Sequence, residues 1–252
     1  MMNRNWGMGF GILLAILVGV AATPGFAAKI VRVEFNNNYL QAFNDAGEQI
    51  VNAYQGRQLQ WNGNLLAFTA SNYLKVVDAE GTTIANDYSG SLIDLRERLV
   101  AYRANNYLKV VTIDGRTIVN EYSASDVKLR PGVVAYSVNN YFKVTRFDGT
   151  TIVNEYNVSE YELSPRIVAY IASNYLKMVR IEDGVTFVNE YNVSDYSIGK
   201  QVVVYRVNNY FKIVRLDDGR TIINEYNVTD FEMGPSLVVY RVNNYLKAVQ
   251  VE

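Results

Sequence analysis

The chain is predicted to be all-β, a β-propeller of short antiparallel blades, and three observations carry that prediction. A phrase of Asn or Ser, then Asn, Tyr, and Leu or Phe occurs seven times, anchored at Tyr39, Tyr73, Tyr107, Tyr141, Tyr175, Tyr210 and Tyr245, at intervals of 34, 34, 34, 34, 35 and 35 residues. A fixed period of this size marks a repeat architecture, in which each unit buries its apolar face only against its neighbours. Short β-branched and aromatic runs alternate with Asn-Asn and Asp-Gly corners, and helical periodicity is absent after residue 28.

The elements of one unit follow in order. In the third copy, Leu99 to Arg103 is the apolar and aromatic run of strand A. Asn105-Asn106 comes next, and because Asn tolerates positive φ better than most residues, the pair suits a type I′ turn. Strand B runs from Tyr107, Asp114-Gly115 is read as a second two-residue corner, and strand C covers Arg116 to Tyr122. The fifth and sixth copies carry an extra acidic residue at this corner, Glu182 or Asp217, so a three-residue turn with a Gly bulge is expected there. A less regular stretch such as Tyr161-Glu162-Leu163-Ser164-Pro165 leads to the next unit, with room for a short fourth strand, D.

The turn geometry predicts which side chains meet across the strands. Four units acquire a row of Tyr, Lys and Asn on one sheet face: Tyr102-Lys109-Asn120, Tyr136-Lys143-Asn154, Tyr170-Lys177-Asn189 and Tyr205-Lys212-Asn224, with Phe68-Lys75-Asn86 as a variant. One reading is structural. Lys lays its methylenes over the Tyr ring while its ammonium reaches Asn, a carbonyl or a carboxylate of the next unit, locking neighbouring sheets together. The other reading is a set of equivalent polar pockets for glycan. Because the row sits mid-strand, whereas propeller ligands are usually held by loops and strand ends, the structural reading is preferred.

Other repeated signals read the same way. Asn157-Val158-Ser159, Asn192-Val193-Ser194 and Asn227-Val228-Thr229 match the N-glycosylation pattern, but they recur at one place in the repeat, directly after strand C, where local side-chain turn bonding is the preferred account. The Asp-Gly corners lack the ladder of oxygen ligands that a calcium loop needs. Glu121, Glu155, Glu190 and Glu225 are read as rim or inter-unit partners, since no pair of carboxylates stands apart as an acid and a base.

Residues 1–27 read as a secretory signal peptide: Arg4, an apolar run from Phe10 to Ala22, then Gly25 and Ala27 at small-residue cleavage positions. The run is too short for a preferred membrane span, so none is expected after cleavage. Residues 28–252 then form a single domain of about 34-residue repeats. Removing Arg4 changes 24 basic and 25 acidic residues to 23 and 25, a balance without charge runs that argues against nucleic acid. The chain has no Cys and no His, which removes the usual metal ligands, thiol nucleophiles and His-dependent triads. No catalytic, cofactor-binding or metal residue is assigned, and no cofactor is expected.

Seven A–B hairpins suggest seven blades, with six as the alternative. The last unit stops after strand B and the first is degenerate, with Glu34 facing Gln41, a combination read as the two ends of a closed ring. An open solenoid would instead need polar caps at both ends. The last copy is the most compact: Leu237-Val238-Val239-Tyr240-Arg241, the Asn243-Asn244 corner, then Tyr245 to Val251. This strand-turn-strand phrase resembles those of six- and seven-bladed propellers of the TolB-like and WG-repeat kinds, although the Gly-Trp pair of WG repeats is absent. The resemblance implies a propeller in the cell envelope and assigns no functional residue. The expectation is a periplasmic or secreted, non-catalytic propeller that binds a protein partner or scaffolds an envelope assembly, the alternative being a repeated-site glycan binder.

Overall fold

A computed structural model describes residues 28–96 and 98–251, so the signal-peptide reading lies outside the described residues. Those residues form 26 strands in seven antiparallel sheets, five of four strands and, at each end of the series, one of three. The fold class is that of an all-β propeller with seven blades.

The fourth blade shows the plan: Ser125–Arg130, Val133–Val138, Tyr141–Arg146 and Thr151–Tyr156 pair in sequence order. Strand D is real, and it leads its blade. Ser125–Arg130 follows strand C of the third blade in the chain but pairs with strand A of the fourth. The first blade, Ile30–Asn36, Tyr39–Asn44 and Gln49–Tyr54, has no D strand, and the seventh, Val228–Met233, Leu237–Val242 and Tyr245–Gln250, has no C strand among the described residues.

The A–B turns are as the Asn pairs dictate, with Asn105 at φ 50° and Asn106 at φ 65°, and the pattern recurs in every blade. The B–C corners are one residue longer than expected. The Thr112 N–H donates to the Arg116 carbonyl at 3.0 Å, enclosing three residues, and only Gly115, at φ 80°, is left-handed. Asp114 takes no left-handed conformation; its carboxylate accepts the Thr112 hydroxyl and caps the turn instead. In the fifth and sixth blades the corner encloses four residues, closed by Arg180 N–H to Val185 and Arg215 N–H to Arg220. A bulge in strand C absorbs the additional residue, because Val110 faces Val119 while Val111 faces Thr117. The Lys–Asn register survives: Lys109 faces Asn120, Lys143 Asn154, Lys177 Asn189 and Lys212 Asn224.

Strand A is apolar on both faces because both faces are covered. Leu99, Ala101, Leu108 and Val110 of the third blade pack forward onto Leu129, Val134, Tyr136 and Val138 of the fourth. Six such clusters join successive blades. None joins the seventh blade to the first, so the apolar seal expected of a closed ring is missing among the described residues.

The reason is legible at the two end faces. The positions that are Val134, Tyr136 and Lys143 in the fourth blade are Arg32, Glu34 and Gln41 in the first; Arg32 lies 4.0 Å over the Phe43 ring and 3.7 Å from Glu34. This face is a solvated polar cap, a poor seal for apolar surface. On the seventh blade Leu237 is 41% and Leu246 66% exposed, whereas Leu99 and Leu108 in the third blade are 1% and 0% exposed.

Candidate functional site

The Tyr-Lys-Asn rows lie at the blade interfaces. Tyr102 is buried on strand A, and Lys109 stands opposite it on strand B, half-buried. The Lys109 ammonium lies 2.8 Å from Asp87 Oδ1 on strand C of the preceding blade, and the Tyr102 hydroxyl donates to Asp87 Oδ2 at 2.7 Å. Lys143 meets Glu121 at 2.7 Å, Lys177 meets Glu155 at 2.8 Å, Lys212 meets Glu190 at 2.5 Å and Lys247 meets Glu225 at 2.9 Å. In each case the carboxylate lies 22 residues back, so it belongs to the preceding unit, where the sequence reading had the next.

Asn120, Asn154, Asn189 and Asn224 face their lysines in register but are exposed, and the ammonium groups bond to the carboxylates instead. The lysines also stand near the rings, at 5.9 Å from the centroids of Tyr102 and Tyr205, the outer limit of a cation–π contact.

The electrostatics follow from partial burial. Burial alone would raise the Asp87 carboxyl, but hydrogen bonds from Lys109 and Tyr102 and the Lys109 charge outweigh it and hold Asp87 below its ordinary value. Burial, followed by the adjacent carboxylate, pushes the Tyr102, Tyr170 and Tyr205 phenols upward. Lys143 is raised chiefly by its hydrogen bond to Glu121. These groups are held in one protonation state near neutral pH, the opposite of a poised acid–base pair.

A second lock runs through the B–C corners. Arg116 donates to the Asp148 and Phe147 carbonyls of the next blade at 2.8 and 2.9 Å, Arg146 donates to the Glu182 carbonyl at 2.5 Å, and Arg180 donates to the Asp217 carbonyl. Sequence reasoning missed this contact, because a guanidinium aimed at a backbone carbonyl leaves no partner type to recognise.

At the opposite end of each blade lies an exposed aromatic rim, also missed by sequence reasoning. The first pair of the B–C ladder is Tyr on Tyr: Tyr39–Tyr54, Tyr73–Tyr88, Tyr107–Tyr122, Tyr141–Tyr156, Tyr175–Tyr191 and Tyr210–Tyr226, with ring centroids 5.1 to 5.5 Å apart. The signal was present, since the register that sets Lys109 against Asn120 also sets Tyr107 against Tyr122. These rings are 38–56% exposed, and Tyr245, which has no strand C opposite it among the described residues, is 75% exposed.

Beside the rings, Ser123, Asn157, Asn192 and Asn227 occupy left-handed positions, and their N–H groups donate to the second residue of the A–B turn, an Asn in each case, at 2.9 to 3.0 Å. The asparagines of the three glycosylation-like patterns thus hold the turn through their backbone, where side-chain bonding was expected. Between blades the rim opens into clefts of about 360 Å³ and 410 Å³, walled by Asn139, Asn140 and Tyr141 in one and Asn209, Tyr210 and Asn227 in the other. No group of three or more His, Cys, Asp or Glu with metal-binding geometry occurs among the described residues.

No family model matches the chain, and no curated protein does. Similar solved structures include Hsv2 of Kluyveromyces lactis, at 14% identity over 86% of this chain and 90% of that one, with a TM-score of 0.36. Hsv2 of Kluyveromyces marxianus matches at 12% identity over 85% and 89%, TM-score 0.35. PorZ, an essential bacterial surface component of the type-IX secretion system of Porphyromonas gingivalis, matches at 8% identity over 89% of this chain and 36% of that one, TM-score 0.32.

Proposed function

We propose that this protein is an exported, non-catalytic β-propeller that binds a partner protein through its Tyr–Asn rim, as a binding or scaffolding module of the cell envelope. One observation carries the reading: the repeated charged side chains are spent on locking blades together, while the rim leaves tyrosines exposed beside Asn and Ser turns. Tyr supplies large, rigid contact area at low entropic cost, and Asn and Ser supply adaptable hydrogen bonds, the composition that recognition loops use. Export rests on the leader-like residues 1–27, and the envelope on the TolB-like and WG-repeat layout.

Repeated-site glycan binding is the second reading, favoured by the equivalent rim clefts, in which an aromatic ring stands beside amide side chains. The test is to compare the mature protein with a Tyr107→Ser, Tyr141→Ser, Tyr175→Ser variant, presenting each to fractionated envelope proteins and to envelope polysaccharides. Saturable capture of one protein at one-to-one stoichiometry, lost in the variant, supports the first reading. Several equivalent glycan sites per chain support the second. Equal capture by both proteins removes the rim from either.

A further inference from the structure

One of the six blade interfaces breaks the locking rule. Counting 22 residues back from Lys75 gives Ala53, where the other five interfaces have Asp87, Glu121, Glu155, Glu190 or Glu225. The Tyr whose hydroxyl shares the carboxylate at three of those interfaces is replaced by Phe68, 3% exposed, so the hydroxyl donor has gone with its acceptor. Lys75 has stayed. It faces Phe68 and Asn86 in the same register as the other lysines, half-buried, and among the described residues it has no hydrogen-bond or ion-pair partner. Where a Glu side chain would reach from position 53, the surface holds a cleft of about 390 Å³, walled by Ala53, Lys75, Phe68, Val51, Val77 and Thr83.

We infer that this cleft is a carboxylate-binding site, in which a ligand supplies to Lys75 the carboxylate that the chain supplies at every other interface. The five intact interfaces define the ligand. It is a carboxylate on a short aliphatic stem, the shape of a Glu side chain beyond Cβ, since Lys75 is the cationic group of a lining that mixes Val51, Phe68 and Val77 with Asn52, Ser71 and Thr83. A charge-assisted hydrogen bond in a partly desolvated cleft is worth about twice a neutral one, enough for selective though weak capture of the free acid. The same chemistry can come from a small organic acid or from a Glu side chain of a bound protein.

The experiment titrates the full mature protein with propionate and, separately, with the blocked tripeptide acetyl-Gly-Glu-Gly-amide, against chloride at matched ionic strength, following the amide resonances of Ala53 and Lys75 by NMR. Saturable shifts with a millimolar midpoint are expected, absent with chloride. Tighter tripeptide binding assigns the site to a protein side chain, tighter propionate binding to a free acid, and either supports the inference. Lys75→Met should abolish the shifts. Ala53→Glu should abolish them too by filling the site from within, while raising the melting temperature, so folding failure cannot mimic the result. Shifts that match chloride, or that persist in both variants, overturn the site without touching the rim proposal.

Discussion

At the scale of single residues, the decisive group is the lysine of each row. Lys143 carries its charge into a half-buried interface where Glu121 waits at 2.7 Å, and its stem lies on the same face as buried Tyr136. Lys143→Ala removes packing and leaves Glu121 unpaired, so a cost of about 1–2 kcal/mol is expected in urea unfolding. Because both side chains are only about a quarter exposed, the Lys143→Ala, Glu121→Ala double variant should lose roughly 0.5–1 kcal/mol less than the sum of the singles. Additive losses, or unchanged stability with lost ligand binding, would contradict a structural lock. That lysine and asparagine share a row was legible from turn length. An inter-unit role for Glu121 was legible too, but not that it serves the lysine of the following blade, because that depends on how one sheet stacks on another.

At the scale of the element, the type I′ turn sets the register of everything downstream. Asn140 sits at φ 64°, where an ordinary side chain meets the following carbonyl oxygen. Asn140→Ala should therefore lower stability by about 1 kcal/mol, while Asn140→Gly should be close to neutral. Equal effects of Ala and Gly in the same unfolding assay would show that the side chain, not the backbone, holds the turn. The B–C corner teaches the complementary point. Asp-Gly reads as a two-residue turn because both residues accept positive φ, yet Asp114 caps the corner with its carboxylate and Gly115 alone takes the left-handed position. The bulge at strand C then restores the pairing that the shorter turn predicts, so two compensating differences left the register intact.

At the scale of the whole molecule, stability accumulates blade by blade. Deleting residues 242–252 should lower hydrogen-exchange protection in the sixth and seventh blades and leave the first four unchanged, because the interfaces are nearest-neighbour and the seventh blade's forward face covers nothing described. Protection lost in the first blade would reveal a ring.

The pH profile is a second expectation. Asp87 is depressed, so its contribution is present above the ordinary carboxylate value and lost as pH falls through the lowered one. Tyr102, Tyr170 and Tyr205 are raised, so their contribution is present below 10.0 and lost as pH rises through the raised values. With no His in the chain, melting temperature should be flat from about pH 5 to 9 and fall on both sides. A transition near pH 6.5 would contradict this assignment. Because the sequence sets no pair of carboxylates apart as an acid and a base, a third expectation is that no new reducing ends form when the mature protein meets envelope polysaccharides. Turnover abolished by one Asp or Glu substitution would overturn it.

The sequence by itself determined the period, the strands, the Asn-Asn turns and the facing of Tyr, Lys and Asn. All of these are local: they depend on which residues tolerate positive φ and on a side-chain period of two along a strand. Only the tertiary structure decided that Lys109 meets Asp87 on the preceding blade, that Arg116 reaches the Asp148 carbonyl of the next, and that Arg32 and Glu34 cap one end while Leu246 lies bare at the other. Those outcomes depend on how one sheet is rotated and stacked on its neighbour. No residue within a single strand encodes that relation, because it arises from the packing of two complete blades.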